Sequence, residues 1–138
     1  MDLFNKFSII ASFWIAILPF CFIGWYAPGC NLHRTPFNAR NYEYYSEDPV
    51  LSGYMTASVV TGAKANGLYC YVKHFSLSEP RQNARNLNTW LTEQNYREVY
   101  LRPFEIAVKI GGANVMMSAF NSVGGVWAGA NYAQTLIF

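Results

Sequence analysis

Charged residues are scarce in this chain of 138 residues. Asp, Glu, Lys and Arg make up 13% of the sequence, whereas hydrophobic residues make up 52%. The charged share is about half of the usual value of roughly 25%. Such a composition excludes a disordered chain, and a net charge of +2 offers no basic surface for nucleic acid. The length suits one modest domain.

Cysteine and aspartate are rare as well. Cys21, Cys30 and Cys70 lie far apart and have no Cys-x-x-Cys spacing, so they predict neither a disulfide framework nor a zinc site. We therefore predict no metal and no cofactor. Asp2 and Asp48 are the only aspartates, and no carboxylate side chain occurs in residues 106–138. This shortage matters for any reaction that needs a pair of carboxylates.

Residues 9–23 form a strongly apolar run with three open interpretations. The run is shorter than the ~20 residues of a spanning helix unless residues 25–27 are added. Its length suits a secretory signal, but Asp2 offsets Lys6 and no small-x-small cleavage site follows. It could also be a buried strand. Membrane insertion is slightly favoured, which predicts a membrane contact through residues 8–25; otherwise the protein is expected to be cytoplasmic.

Two apolar runs predict buried strands of a parallel sheet. The first, residues 67–75, ends in Lys73 and His74, and the second, residues 114–120, is followed by Asn121. Ligands bind at the carboxyl ends of parallel strands, so two nitrogen donors there suit an oxygen-rich ligand. The alternative is a Lys-His pair at a solvated loop, and the nine residues 67–75 alone favour that alternative.

The loop of residues 27–48 mixes aromatic and charged side chains. Arg34, Arg40 and Glu43 are interleaved with Tyr42 and Tyr44, and Pro and Asn residues keep the segment irregular. Long loops in compact domains are usually functional or disordered, and the aromatic content argues against disorder. Aromatic faces with charged heads suit a sugar. The alternative is an internal Arg–Glu pair that folds the loop.

Two helices are predicted between the strands. The first starts at the N-cap Ser46 and ends before Gly67. Its apolar residues at helical spacing, the predicted buried face, are Leu51, Met55, Val59 and Ala63. The second starts at the N-cap Thr92, and Pro103 is expected to kink or divide it. Its solvated face is predicted to carry the ion pairs Glu93–Arg97, Glu98–Arg102 and Glu105–Lys109.

The order is a strand near residues 23–27, a helix, the strand 68–75, a helix and the strand 114–120. It predicts an α/β fold with three parallel strands and right-handed crossovers. Long loops follow the strands and short loops follow the helices, as in a (β/α)₈ TIM barrel. A full barrel takes about 250 residues and eight strands. The sequence therefore predicts a partial barrel, preceded by the apolar N-terminal segment.

Several motifs carry a resemblance to a known family. They are Trp25–Phe37 (WYAPGCNLHRTPF), Ala39–Pro49 (ARNYEYYSEDP), Lys73–Phe75 (KHF), Arg97–Phe104 (REVYLRPF) and Met117–Asn121 (MSAFN). In order and spacing these runs resemble the N-terminal barrel domain of glycoside hydrolase family 3, in particular bacterial β-glucosidases. The resemblance divides the chain into residues 1–23, which are unrelated to the family, and residues 24–138.

The resemblance implies a retaining hydrolase that cleaves terminal β-glycosidic bonds in β-glucosides or short oligosaccharides. It places Arg40, Lys73 and His74 on the hydroxyls of the sugar at the bond that breaks. Arg85 is similar to a further arginine of that pocket, and Phe120 stands where many members have a tyrosine.

The chain also departs from the family. The family's nucleophilic aspartate belongs to the strand after the one that precedes Asn121, and its acid/base lies later still. No catalytic residue is therefore predicted within these 138 residues, and the isolated chain is expected to be inactive. The alternative is a non-catalytic truncated product or a membrane-anchored sugar-binding remnant.

Overall fold

The computed structural model describes residues 23–79 and 85–135. Within them, short 3₁₀ turns cover Asn41–Glu43 and Ala128–Ala130, and a π-helical turn covers Tyr96–Tyr100. In chain order, the strands and α-helices are β1 (Gly24–Trp25), α1 (Pro49–Ala65), β2 (Tyr69–Phe75), β3 (Asn88–Thr89), α2 (Glu93–Asn95), α3 (Arg102–Lys109), β4 (Val115–Ser118), β5 (Ser122–Val123), β6 (Val126–Trp127) and α4 (Tyr132–Thr135).

A parallel sheet of three strands, in the order β1-β2-β4, forms the centre of the fold. Gly24 pairs with Tyr69, and Tyr71 pairs with Val115. The predicted strands 68–75 and 114–120 are confirmed as β2 and β4 with shorter bounds. The predicted burial of the second strand is wrong, because Val115, Met116 and Met117 are half-buried and Ser118 is exposed. After β1 the chain continues beside β2, where the backbone N–H of Cys30 donates to the carbonyl of Lys73 at 2.8 Å. This path brings the long loop after β1 to the carboxyl end of β2.

Most of the predicted membrane segment, residues 8–22, lies outside the described residues. Gly24 and Trp25, at the end of that segment, belong to β1 and pair with Tyr69 and Cys70. For these two residues the strand interpretation holds, and the predicted membrane contact is not supported. In the described ranges, no helix has the length and apolar character needed to cross a membrane.

Helix α1 begins later than the sequence indicates. Its N-cap is Asp48, whose Oδ1 accepts a hydrogen bond from the backbone N–H of Leu51 at 2.7 Å. Pro49 is the first helical residue, a position where its missing N–H costs nothing. Ser46 instead accepts from the N–H of Asp48 at 3.0 Å. The prediction of Ser46 as the N-cap is therefore wrong.

The buried face of α1 agrees with the predicted one only at Ala63, which is fully buried. Leu51 is 46% exposed, and Met55 and Val59 are only half-buried. The buried residues of α1 are mostly small: Ser52, Gly53, Thr56, Ala57, Ser58, Val60, Gly62 and Ala63. Small side chains win here because α1 packs closely on α3: a Cβ atom at Gly53 would lie 2.7 Å from Cδ1 of Ile106. Helical spacing of apolar residues cannot reveal such a close approach.

The close approach of these helices makes Gly111 sensitive to substitution. A Cβ atom at this position would lie 2.7 Å from Cα of Ala57 and 2.8 Å from the carbonyl oxygen of Ala107, both backbone atoms. We expect Gly111→Ala to lower the free energy of unfolding by about 1–3 kcal/mol, because the helices must move apart. Urea denaturation measures the change. The control is Asn114→Ala at an exposed position, where a change within about 0.5 kcal/mol is expected; equal losses in both variants would contradict the packing.

The second predicted helix is divided, as Pro103 indicated. Thr92 caps its start, where Oγ1 accepts from the N–H of Asn95 at 3.3 Å. The helix then continues as α2, the π-helical turn and α3, and the break at Leu101 lies just before Pro103. Phe104 is fully buried. The core lies between the parallel sheet and helices α1 and α3, and its buried members include Val60, Val72 and Phe104.

Two of the three predicted ion pairs on this segment are confirmed. Arg97 contacts Glu93 at 2.8 Å and Lys109 contacts Glu105 at 2.7 Å. The third is wrong, because Arg102 pairs with Glu105 at 2.7 Å and not with Glu98. The break in the helix alters the spacing between Glu98 and Arg102.

A second, small sheet joins β3 to the two strands that follow β4, and it was not predicted. It has the order β3-β5-β6, with β3 parallel and β6 antiparallel to β5. Gly124 and Gly125 form the β5–β6 turn with φ values of 60° and 89°, and positive φ at both central positions is what a type I′ hairpin requires. The glycine-containing segment of residues 122–127 is thus a hairpin, and it follows β4 at the carboxyl end of the parallel sheet.

Candidate functional site

The carboxyl end of β2 meets the loop after β1 in a cluster of four charged or polar side chains. Nε of Arg40 lies 2.5 Å from Oε1 of Glu43, and Nζ of Lys73 lies 3.2 Å from Oε2 of the same carboxylate. Nη2 of Arg40 lies 2.7 Å from Nε2 of His74. Three residues singled out from the sequence are therefore brought together. The Arg–Glu pair considered as the alternative is present too, as part of this cluster.

Glu43 is the anion that holds the two cations together. Burial opposes its ionisation, but the hydrogen bonds and charges of Arg40 and Lys73 outweigh burial and lower the pKa of Glu43. The three side chains are only 15–20% exposed, so water screens their charges weakly. With Arg40 and Lys73 charged, the cluster carries one net positive charge and presents N–H donors at the strand end.

His74 is held on both ring nitrogens. Nε2 faces the guanidinium of Arg40, which can only donate, so Nε2 must be the unprotonated nitrogen. Nδ1 then carries the proton and donates to Oη of Tyr44 at 3.3 Å, and Tyr44 in turn donates to the carbonyl of Ser78 at 3.3 Å. This chain of hydrogen bonds requires a neutral imidazole.

The surroundings of His74 also favour the neutral form. Burial, and then the charges of Arg40 and Lys73, lower the pKa of His74 from 6.5 to about 4, although the charge of Glu43 acts in the opposite direction. His74 is only 6% exposed. His74 therefore acts as a neutral hydrogen-bonding group at neutral pH.

We expect the pKa of His74 to make the fold lose stability in mild acid. The imidazole takes up its proton near pH 6.5 in the unfolded chain and near pH 4 in the folded chain. Above about pH 6.5 the imidazole is neutral in both states, so the free energy of unfolding is not reduced. As pH falls from 6.5 to 4, the free energy of unfolding decreases by at most about 3 kcal/mol. NMR titration of the ring protons measures the folded pKa directly. His33→Asn serves to assign the two histidines, and a His74 midpoint above pH 6 would contradict the prediction.

The backbone of His74 is held by a residue from the loop after β1. Oδ1 of Asn31 accepts from the N–H of His74 at 2.7 Å, and Nδ2 of Asn31 donates to its carbonyl at 3.0 Å. Nδ2 also lies 3.4 Å from Oε1 of Glu79, a carboxyl that is 2% exposed. Sequence reasoning missed Asn31 as a part of the site, and it named Tyr44 only as an aromatic face for a sugar and not as a hydrogen-bond partner of His74. The available signal was their place in the loop between β1 and α1.

The other candidate residues take part in different contacts. The guanidinium carbon of Arg85 lies 5.8 Å from the centre of the Phe120 ring, beyond the end of β4. Both residues are exposed. Asn121 is buried, and its Nδ2 donates to the carbonyl of Ser76 at 3.2 Å, so it joins the chain after β2 to the chain after β4. The role predicted for Arg85 stays a prediction.

A cavity of about 370 Å³ lies apart from the charged cluster. It lies between the small sheet, the start of the second helical segment and α4, and its lining includes Thr89, Trp90, Tyr96, Val126 and Gln134. None of the site residues predicted from the sequence lines it. In the part of the chain that the structure describes, no group of three or more His, Cys, Asp or Glu side chains could hold a metal ion.

Parallel strands joined by helices, with polar side chains gathered at the strand ends, are typical of a part of a (β/α) barrel. The family model "Glycosyl hydrolase family 3 N terminal domain" matches residues 23–135. The chain therefore belongs to glycosyl hydrolase family 3, which confirms the resemblance found in the sequence.

Sequence relatives and solved structures agree with this assignment. A β-glucosidase of Ruminococcus albus is 38% identical over 112 residues, which are 81% of this chain and 12% of the relative. β-Glucosidase B of Emericella nidulans is 39% identical over 105 residues, 76% of this chain and 12% of the relative. The chain thus spans about an eighth of the length of these curated relatives.

Similar structures have been solved for two bacterial β-glucosidases. β-Glucosidase 3B from Thermotoga neapolitana, in complex with glucose, has a TM-score of 0.85 and 36% identity over 91% of this chain and 18% of its own. A β-glucosidase from Paenibacillus barengoltzii has a TM-score of 0.85 and 34% identity over 96% of this chain and 14% of its own. The predicted fold class, a partial (β/α)₈ barrel, is confirmed.

Proposed function

We propose that this chain supplies part of the sugar-binding pocket of a hydrolase acting on β-glucosides or short oligosaccharides. One observation carries the proposal: Arg40, from the loop after β1, meets the neighbouring residues Lys73 and His74 at the carboxyl end of β2. The relatives are named β-glucosidases, and one solved structure contains glucose. A neutral polyol suits this cluster because its oxygens accept hydrogen bonds from cationic donors.

The donors in the cluster support binding of sugar hydroxyls. Arg40 has five N–H groups and Lys73 has three. The contacts described above use two N–H groups of Arg40 and one N–H group of Lys73. Bonds from charged donors are stronger than bonds between neutral groups. We propose that Arg40 and Lys73 donate to hydroxyl oxygens, and that Nε2 of His74 accepts a hydroxyl hydrogen when Arg40 turns toward the sugar. We assign Arg85, above Phe120, to the pocket's outer side.

We expect weak but specific binding of D-glucose by the chain. Titration of a ¹⁵N-labelled sample with D-glucose should shift the backbone signals of Lys73 and His74. We expect a Kd on the order of 1 mM or weaker, which corresponds to a binding free energy of at most about 4 kcal/mol. Lys73→Met should abolish the shifts, because it keeps the apolar stem and removes the donor. Arg97→Met, at an exposed ion pair, is the matched control. Shifts that persist in Lys73→Met, or equal shifts with L-glucose, would contradict the proposal.

We further propose that these 138 residues bind a β-glucoside without cleaving it. A retaining glycosidase needs two carboxylates about 5–5.5 Å apart at the scissile bond. Near the cluster, Glu43 is committed to both cations, and Glu79 is buried. Asp48 caps helix α1. None of these carboxylates is placed as a nucleophile beside a second acid.

The absence of turnover can be tested with an aryl β-glucoside and the purified chain. We expect no release of the aryl group above that seen with a mock-purified sample. The acidic variants Glu43→Gln, Glu47→Gln, Asp48→Asn and Glu79→Gln provide the matched set. Turnover that one of these substitutions abolishes would overturn the proposal and identify a catalytic carboxylate.

A further inference from the structure

The side-chain amide of Asn31 forms hydrogen bonds with both backbone groups of His74. Asn31 is 1% exposed, and its amide makes two bonds to the same residue, at 2.7 Å to the N–H and at 3.0 Å to the carbonyl. The two residues are 43 positions apart in the sequence. A side chain that satisfies both backbone groups of one residue fixes the position and the direction of that residue's side chain.

The orientation of the Asn31 amide follows from its partners. The N–H of His74 needs an acceptor, so it must face Oδ1, and the carbonyl of His74 needs a donor, so it must face Nδ2. In the reversed amide, Nδ2 would face the N–H of His74, donor against donor, and Oδ1 would face the carbonyl of His74, acceptor against acceptor. The second hydrogen of Nδ2 is thereby directed toward Oε1 of Glu79 at 3.4 Å.

Glu79 is a buried acid with no role in the binding of the sugar itself as proposed above. Burial raises its pKa, whereas its own backbone N–H, the amide of Asn31, the charge of Arg34 and the N–H of Leu32 act in the opposite direction. Its carboxyl thus lies among N–H donors from the loop after β1 and from the chain after β2. It joins these two segments behind His74.

We propose that Asn31 and Glu79 are positioning residues for the sugar pocket. Glu79 orients the amide of Asn31, and Asn31 fixes the backbone of His74 so that Nε2 meets Arg40 and Nδ1 meets Tyr44. We call the contacts of Asn31 with the backbone of His74 and with Glu79 the clamp. Its relevance for binding rests on the function proposed above. The clamp itself is a property of this chain and can be measured without a sugar.

The clamp matters because the contact between Arg40 and His74 is short and directional. Their atoms are 2.7 Å apart, and hydrogen bonds weaken steeply when the angle falls. A tilt of the ring would release the guanidinium and allow the proton of the imidazole to occupy either nitrogen. The tautomer of His74 therefore reports on the clamp, whereas a loss of general stability does not change it.

The unmodified chain offers a direct test. The bond from the N–H of His74 to Oδ1 of Asn31 should give a measurable scalar coupling between the amide nitrogen of His74 and the side-chain carbonyl carbon of Asn31. The ring should show protonated Nδ1 and unprotonated Nε2 at pH 7. Absence of the coupling in a folded sample, or the opposite tautomer, would overturn the proposal.

Variants separate positioning from simple packing. Asn31→Asp is isosteric but turns the donor toward the His74 carbonyl into an acceptor. We expect a mixture of tautomers and exchange of the His74 amide roughly 10- to 100-fold faster. Glu79→Ala should act in the same direction, whereas Glu79→Gln, which keeps an acceptor for Asn31, should retain the single tautomer. Ser78→Ala, at an adjacent buried residue, is the control.

Each outcome decides one question. If Asn31→Asp does not fold, the coupling in the unmodified chain and the Glu79 pair of variants still decide. If Glu79→Ala leaves the tautomer and the exchange rate equal to those of Ser78→Ala, Glu79 is not a positioning residue. A chain that shows the coupling and the single tautomer but does not bind D-glucose would support the clamp and contradict the proposed function.

Discussion

Replacing Glu43 by glutamine is expected to lower the free energy of unfolding by about 1–3 kcal/mol at pH 7. Glu43 contacts Nε of Arg40 at 2.5 Å and Nζ of Lys73 at 3.2 Å. Without the negative charge, the two cations repel each other in a setting that water reaches poorly. The cost should lie between that of an exposed ion pair, about 0.2–1 kcal/mol, and that of breaking a buried one, about 3–5 kcal/mol.

The exposed ion pair on α2 supplies the control for this measurement. Glu93 and Arg97 are 75% and 54% exposed, so Glu93→Gln should cost only about 0.2–0.5 kcal/mol. Urea denaturation of both variants beside the unmodified chain measures the difference. Equal losses in Glu43→Gln and Glu93→Gln would mean that Glu43 does not organise the cluster. The site would then need another explanation for the approach of Arg40 and Lys73.

Replacing Phe104 by alanine is expected to have the largest effect on stability, about 3–5 kcal/mol. Phe104 is 0% exposed, and its ring packs against that of Phe75 in a T-shaped arrangement with 5.1 Å between ring centres. The loss would be a large part of the 5–15 kcal/mol that usually stabilises a domain. Because Phe75 follows His74 directly in the sequence, the empty space would also loosen the end of β2 that presents the site.

The matched control is Phe37→Ala. Phe37 is 92% exposed, so the same change of residue should alter the free energy of unfolding by no more than about 0.5 kcal/mol. Thermal and urea denaturation measure both variants. A loss below about 1 kcal/mol in Phe104→Ala would show that the sheet and α3 do not share the tightly packed core described here.

Local features of the sequence were enough to predict the strands of the parallel sheet and the division of the second helix. The run ending in Lys73 and His74 is apolar over consecutive residues, and such a run needs no knowledge of distant residues to indicate a buried strand. Pro103 lacks a backbone N–H, so it interrupts a helix wherever it occurs. The family motifs around Arg40 and Lys73 also predicted the family, because they are contiguous in the sequence.

The buried face of α1 and the start of that helix could not be predicted in the same way. Leu51 has the right spacing for a buried position, but α3 comes so close that Gly53 and Ala57 fill the contact. The identity of the N-cap depended on which side chain accepts from the N–H of Leu51, and that side chain is Asp48, not Ser46. Both outcomes depend on distances that spacing alone does not contain.

The sequence by itself therefore determined the family, the parallel strands and three residues of the candidate site. Only the tertiary structure decided how that site is held. The bridge of Glu43 between Arg40 and Lys73 and the grip of Asn31 on His74 join residues up to 43 positions apart. The physical reason is that hydrogen bonds and ion pairs form only within about 3–4 Å. Folding of the loop after β1 against β2 is what brings these partners within that distance.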